Sequence, residues 1–116
     1  MPTFSKEFLT GGTANGRQTK VAATATAGTL IHTVPALVKY ELTVFAQNSS
    51  TSPVKLTIEW GGVTSPDDLI EVTIPPESGL LEVIPKLVLG AGLVVRAFAA
   101  TGDVILISGY VNRITP

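Results

Sequence analysis

Residues 37–47 read LVKYELTVFAQ and alternate in polarity along their length. Hydrophobic side chains occupy every second position from Val38 to Ala46, whereas Lys39, Glu41 and Thr43 fall between them. Successive side chains of a β-strand point to opposite faces of a sheet, so this period of two predicts a strand with one buried and one solvated face.

The same pattern recurs along the chain from Thr19 onward. Segments rich in Val, Ile, Thr and Leu are separated by Gly, Pro, Asn or Ser, which are residues typical of turns. We predict about eight strands and no helix. The predicted strands cover residues 20–27, 29–34, 37–47, 54–60, 69–75, 80–89, 93–100 and 104–114.

The regular spacing of these segments predicts the fold class. Many short alternating strands separated by turn residues are typical of two antiparallel sheets packed face to face. We therefore expect an all-β chain folded as a β-sandwich, with a jelly roll favoured over an immunoglobulin-like arrangement. Pro85 marks residues 80–89 as a bent or edge strand, because proline cannot donate to a sheet.

The composition narrows the function classes. A chain of 116 residues can bury one core and is expected to form one domain. It has no cysteine, which excludes disulfides, thiolate metal sites and a cysteine nucleophile. Charged residues make up only 15% of the chain, scattered and with a net charge of −1. This argues against binding to nucleic acid or another polyanion.

The chain is nevertheless rich in apolar side chains, at 45% of its residues. No apolar run approaches the roughly 18–20 residues of a membrane helix, and the N-terminus lacks the pattern of a signal peptide. We therefore expect no association with a membrane. The excess of apolar residues predicts a subunit or partner interface, because soluble monomers rarely expose large apolar patches.

Residues 1–18 differ in composition from the rest and predict an extended N-terminal arm attached to a single β-sandwich domain of residues 19–116. Glycine and polar residues dominate the segment, and its few large apolar side chains are isolated. Such a segment is flexible alone and is ordered by a partner. The predicted partner-binding residues are Phe4, Lys6, Phe8, Leu9 and Arg17.

The last two predicted strands lack a clean polar face. A strand that is apolar on both faces must be covered on both sides. In a small two-sheet domain the outer cover comes from a long loop, from the arm or from another subunit. We predict a homo-oligomer whose interface includes Val94, Phe98, Ile105 and Ile107.

The stretch TIEWGGVTSPDDLIEV, residues 57–72, contains the only tryptophan and two adjacent aspartates. Trp60 is in phase with the apolar residues of its strand, which predicts that it points inward. Ser65–Asp68 has the chemistry of a turn, in which aspartate side chains bind nearby backbone amides. We favour this structural reading, although weak ion or sugar binding near Asp67 and Asp68 stays open.

No catalytic constellation is visible, and we expect a protein that is not an enzyme and has no cofactor. The only histidine, His32, is expected to be an exposed strand residue. Glu41, Glu59 and Glu71 lie at outward positions and are expected to pair with lysines across strands. A platform for sugar would need outward aromatic side chains, and only Phe45, Phe98 and Tyr110 are available for one.

Five stretches of the chain are similar to small proteins from the structural gene clusters of tailed bacteriophages. They are GTLIHTVPA, LTVFAQNSSTSPVKLTIEWGG, IPPESGL, VVRAFAA and GYVNRI, which together span residues 28–114. The resemblance implies a non-enzymatic component of the virion that is assembled in the host cytoplasm. It implies no catalytic residues.

Within that family a capsid decoration (cement) protein fits the composition best. Such a protein is a rigid, nearly neutral β-sandwich that oligomerises around a capsid symmetry axis, commonly as a trimer, and binds the major capsid protein. The alternative is a β-sandwich module of the tail or of head completion that recognises a receptor or a carbohydrate.

Overall fold

The computed structural model describes residues 3–11, 16–90 and 92–115 and shows nine strands among them. The strands are β1 (Thr3–Phe8), β2 (Thr19–Lys20), β3 (Thr29–Thr33), β4 (Lys39–Asn48), β5 (Val54–Trp60), β6 (Leu69–Ile74), β7 (Leu81–Gly90), β8 (Val94–Ala99) and β9 (Ile105–Thr115). The described part of the chain has no helix of the length and hydropathy needed to cross a membrane.

The strands form two antiparallel sheets that pack together. The larger sheet has the order β1-β9-β4-β7, with the short β2 also paired to β9. The smaller sheet has the order β3-β8-β5-β6. The predicted all-β sandwich is thereby confirmed, and its jelly-roll connectivity stays a prediction.

The core lies between the inner faces of the two sheets. In β4 the alternating residues Tyr40, Leu42, Val44 and Ala46 are all at most 3% exposed, as the sequence pattern predicted. Leu56 and Ile58 of β5 meet them from the smaller sheet and are equally buried. Burying each large aliphatic side chain stabilises the fold by about 1.5–3 kcal/mol, so these strands carry much of the folding energy.

The N-terminal segment corrects one prediction. Residues 3–8 do not stand apart as an arm; they form the edge strand β1, paired with β9 from Thr3↔Thr115 to Phe8↔Tyr110. The Gly11 N–H then donates to the Ile31 carbonyl at 2.9 Å, which ties the segment to the smaller sheet. Residues 1, 2 and 12–15 of the predicted arm lie outside the described residues.

A second correction concerns residues 20–27, which were predicted to be a strand. Only Thr19–Lys20 pairs with the sheet, and the chain then crosses the outer face of the smaller sheet as a loop. The Ala99 N–H donates to the Ala23 carbonyl at 3.1 Å, so this loop is fixed to β8. The alternating alanines and threonines mimic a strand pattern without supplying large side chains to bury.

The close packing of β9 on β4 depends on a glycine. A Cβ atom on Gly109 would lie 2.2 Å from the Thr43 carbonyl oxygen, and the φ angle of Gly109 is +147°. Both features disfavour any side chain at this position. Gly109 therefore allows β4 and β9 to stay in register over ten residue pairs.

Candidate interaction surface

The outer face of the larger sheet is the candidate site. We call it the open face and define it by the strand register, since residues directly opposite each other on antiparallel strands share a face. Its residues are Phe4, Lys6, Phe8, Lys39, Glu41, Thr43, Phe45, Gln47, Glu82, Pro85, Val88, Leu106, Ser108, Tyr110, Asn112 and Ile114, flanked by Lys20 of β2.

The open face leaves large apolar side chains exposed at both of its edges. Phe4 is 67% exposed, Phe8 58% and Val88 52%. Among the described residues, the large hydrophobic side chains that are both exposed and in a strand are these three and Leu87, all on the edge strands β1 and β7. Phe4 and Phe8 lie at one edge of the face and Val88 at the other, and apolar side chains that the chain itself leaves uncovered make this face a candidate for binding another molecule.

The middle of the open face combines an aromatic ring with polar groups. The Lys6 Nζ lies 4.7 Å from the centroid of the Tyr110 ring, a cation–π contact. The Asn112 Nδ2 donates to the Glu41 Oε1 at 3.0 Å. Beside them an open depression of about 630 Å³ is lined by Lys6, Glu7, Phe8, Gly16, Gly109 and Tyr110.

The outer face of the smaller sheet is different because the chain covers part of it. Glu59 points outward as predicted, yet it is only 1% exposed. The Thr26 Oγ1 donates to its Oε2 at 2.8 Å, and the Gly28 N–H donates to its Oε1 at 2.7 Å. The expectation of a solvated Glu59 was wrong, because the loop that follows β2 lies over it and uses its carboxylate as an anchor.

The other two outward glutamates behave more simply. Glu71 pairs with Lys55 across the sheet at 2.9 Å, and both side chains are about half exposed. This confirms the predicted cross-strand pair, which at such exposure contributes little to stability. Glu41 bonds to Asn112 instead of a lysine. None of the three glutamates therefore faces another across a cleft as a catalytic pair would.

His32 was expected to be exposed, and this was wrong, because the side chain is fully buried. A bulge between Leu30 and His32 turns it toward the core, where its ring packs at a tilt of 38° against Tyr40 with centroids 4.7 Å apart. The Thr10 N–H donates to the His32 Nδ1 at 3.1 Å. Burial lowers the pKa of His32 to about 4, although the nearby Glu7 carboxylate acts in the opposite direction.

These contacts give His32 a structural role as a hydrogen-bond acceptor. Because Nδ1 accepts a hydrogen bond, the ring proton is on Nε2, which has no partner among the described residues. The Tyr40 hydroxyl donates to the Glu7 Oε1 at 2.9 Å, and burial together with this bond raises the pKa of Tyr40. The cluster fixes the end of β1 and the residues after it. It includes the Thr10 hydroxyl, which lies 3.2 Å from the His32 Nδ1 and accepts from the Thr33 N–H at 2.9 Å.

The predicted subunit-interface residues separate into two groups. Ile105 and Ile107 are at most 1% exposed and belong to the core of the chain itself, so they cannot contact another subunit. The prediction was wrong because the run VILI, residues 104–107, is apolar at every position, so the sequence could not show which face points inward. Val94 and Phe98 lie at outward positions of β8 and are half-buried.

The predicted partner-binding residues also divide. Phe4, Lys6 and Phe8 lie together on the open face. Leu9 packs against the core, and Arg17 is exposed beside Lys20 and Leu106, where the three line another open depression. The sequence places Phe4, Lys6 and Phe8 at every second position of residues 3–8, which puts them on one face of a strand.

The turn between β5 and β6 fits its structural interpretation. Trp60 packs against the edge of the core, which confirms its inward direction. The backbone N–H of Trp60 donates to the Asp68 carbonyl at 2.7 Å. The Asp68 Oδ2 accepts from the Thr64 N–H at 3.1 Å. In the described ranges no three histidine, aspartate or glutamate side chains are grouped so that they could hold a metal ion.

Comparison with protein-family models, with curated proteins and with solved structures finds no match to this chain.

Proposed function

We propose that the chain is a non-enzymatic structural protein of a tailed-phage virion, a capsid decoration (cement) subunit that docks on the shell through its open face. The single observation that supports docking is the exposure of Phe4, Phe8 and Val88 on the two edge strands of the larger sheet. The virion assignment is supported by the sequence resemblance to phage structural proteins. Its place of assembly is then the host cytoplasm.

The dimensions of the open face bear on how such a subunit would bind. Four strands about 4.8 Å apart and about 20–25 Å long present roughly 400–500 Å². A stable protein interface uses about 800 Å² on each partner, so one copy would bind weakly. Three linked copies that bind at once would exceed that area and gain avidity without new contacts.

A homotrimer around a capsid symmetry axis is therefore part of the proposal. Its subunit contacts would be formed by the outward, half-buried Val94 and Phe98, since Ile105 and Ile107 are occupied by the core. Light scattering on a sizing column measures the mass in solution. A trimer supports this assembly, and a monomer at all concentrations contradicts it.

The docking proposal predicts the effect of polar substitutions on the open face. The double variant Phe4→Ser and Phe8→Ser should lower binding to shell particles at least about tenfold, because each ring contributes roughly 1–3 kcal/mol when it is buried by a partner. Co-sedimentation with shell particles assembled from a tailed-phage major capsid protein measures this.

The matched control is Val63→Ser, which removes a side chain that is 47% exposed and lies in the β5–β6 turn of the smaller sheet. The control should bind as the wild type does. Equal loss in both variants, or none in the double variant, contradicts docking through the open face. Point variants are preferable to deleting residues 1–18, since the deletion would also remove β1 from the sheet.

One observation favours the second candidate, a receptor- or carbohydrate-binding module. Tyr110 lies next to the Asn112–Glu41 pair on the open face, and an aromatic ring flanked by hydrogen-bonding groups is an arrangement that can bind sugar. Quenching or enhancement of tyrosine and tryptophan fluorescence by mono- and disaccharides tests it. No change at millimolar sugar removes this candidate.

A further inference from the structure

The charged side chains of the chain are distributed unequally between the two outer faces. The open face and its border carry basic side chains, and the acidic ones there are fewer. The basic group is Lys6, Arg17, Lys20 and Lys39, and the acidic group is Glu41, Glu82 and Glu7, which lines the depression and accepts from the Tyr40 hydroxyl. The smaller sheet and its β5–β6 turn carry the opposite balance, with Lys55 and Arg96 against Glu59, Asp67, Asp68 and Glu71.

The lysines of the open face also lack partners within the chain. Among the residues that the structure describes, one ion pair is found, Lys55–Glu71, and it lies on the smaller sheet. Lys6 contacts the Tyr110 ring instead of a carboxylate, and the Glu41 carboxylate beside it accepts from Asn112. The positive charges of Lys6 and Lys39 are therefore available to a partner.

We propose that the open face takes an acidic protein surface, one whose carboxylates meet Lys6 and Lys39 while its apolar side chains cover Phe4, Phe8 and Val88. This rests on the proposed function in taking the open face as the docking surface, and it adds the chemistry of the partner. Complementary charge at the border of an apolar patch fixes orientation and speeds association.

The same charges argue against the other occupants. Two copies placed face to face would bring their lysines together, and like charges across an interface are destabilising. A nucleic acid would place phosphates against Glu41, which lies in the middle of the face between Lys6 and Val88 in register. The exposed Phe4 and Phe8 rings offer a surface on which bases could stack, so nucleic acid is included as a competing occupant in the test.

The test uses defined probes and a charge-reversal variant. A short labelled peptide of alternating glutamate and leucine presents carboxylates on one side and apolar groups on the other. A peptide of alternating lysine and leucine is its matched control, and a labelled oligo(dT) of similar length represents nucleic acid. Fluorescence anisotropy measures binding of each probe to the wild type, to Lys6→Glu with Lys39→Glu, and to Lys55→Glu on the other sheet.

We expect the glutamate–leucine peptide to bind the wild type and to bind the double variant at least about tenfold more weakly, with Lys55→Glu unchanged. High salt should weaken the wild-type interaction, because exposed charges are screened. Circular dichroism and urea unfolding check that the double variant folds, which is expected because both lysines are exposed.

Four results would overturn the inference. They are no binding of the glutamate–leucine peptide, equal binding of the lysine–leucine peptide, tighter binding of oligo(dT), and an undiminished affinity of the double variant. Shell particles separate this inference from the proposed function. If particles bind the double variant as well as the wild type, the acidic-partner inference fails and the decoration function stands. If the peptide binds as expected and the particles do not, the decoration function fails alone.

Discussion

Lowering the pH from 7 to 4 should destabilise the fold through His32, and the structure gives both the sign and the size of the effect. The buried, neutral ring accepts the Thr10 N–H at Nδ1, so protonation would remove the acceptor and place a charge in the core. The pKa of His32 is about 4 in the folded chain and about 6.5 in the unfolded chain. The groups that face it are the Glu7 carboxylate from β1 and Tyr40 from β4, whose own neighbour is Arg113 of β9.

Because the folded pKa is lower, the unfolded chain takes up the proton first as the pH falls. The stabilising contribution is complete above about pH 6.5 and is lost progressively toward pH 4, at up to about 1.4 kcal/mol per pH unit. Over the full window this amounts to about 3 kcal/mol. That is a large share of the 5–15 kcal/mol that holds a typical small domain together.

Urea unfolding between pH 7 and pH 4, followed by the fluorescence of Trp60, measures the loss. The comparison is with His32→Gln, whose amide oxygen can still accept the Thr10 N–H but does not titrate. Carboxylates titrate in both proteins, so the difference between their free energies of unfolding isolates His32. Parallel pH profiles for the two proteins, or an imidazole NMR resonance that titrates near pH 6.5, would refute the reasoning.

Two further substitutions test the internal contacts. Glu59→Ala should cost about 1–3 kcal/mol in urea unfolding, since it leaves the buried Gly28 N–H without an acceptor and removes the hydrogen bond from the exposed Thr26 hydroxyl. Glu71→Ala on the same face should change stability by less than about 1 kcal/mol. Equal effects would mean that Glu59 does not anchor the loop. Gly109→Ala should lower the melting temperature more than Gly79→Ala. A Cβ at position 109 would lie 2.2 Å from the Thr43 carbonyl oxygen, whereas a Cβ at position 79 would meet nothing within 4 Å. A smaller effect at Gly109 would show that β9 can shift away from β4.

The sequence allowed the central strands to be predicted but not the edges of the sheets. In β4 and β5 the alternation is clear because one face is buried by large aliphatic residues and the other carries charge. In β1 only Phe4 and Phe8 are apolar, with Lys6 between them on the same face, and the glycines that follow made the whole segment resemble a flexible arm. Edge strands bury less, so their sequences are less constrained.

The buried polar residues show a second limit of sequence patterns. Alternation placed Glu59 correctly on the outer side of its sheet, but it cannot show that a loop from another part of the chain covers that side. His32 was misplaced because a bulge lets two consecutive residues, Ile31 and His32, both reach the core. A bulge changes the phase of a strand and leaves no reliable mark in a single sequence.

The strand that was hardest to predict connects the stability of the fold to the proposed docking surface. One side of β1 carries Glu7, which accepts from Tyr40 in the polar cluster, and the other side carries Phe4, Lys6 and Phe8 of the open face. An edge strand is held by one neighbour only, so its register depends on additional contacts such as the Thr10–His32 hydrogen bond. The order of the open face therefore depends on the Thr10–His32 hydrogen bond. Acid that protonates His32 should weaken docking in the same pH range in which it weakens the fold.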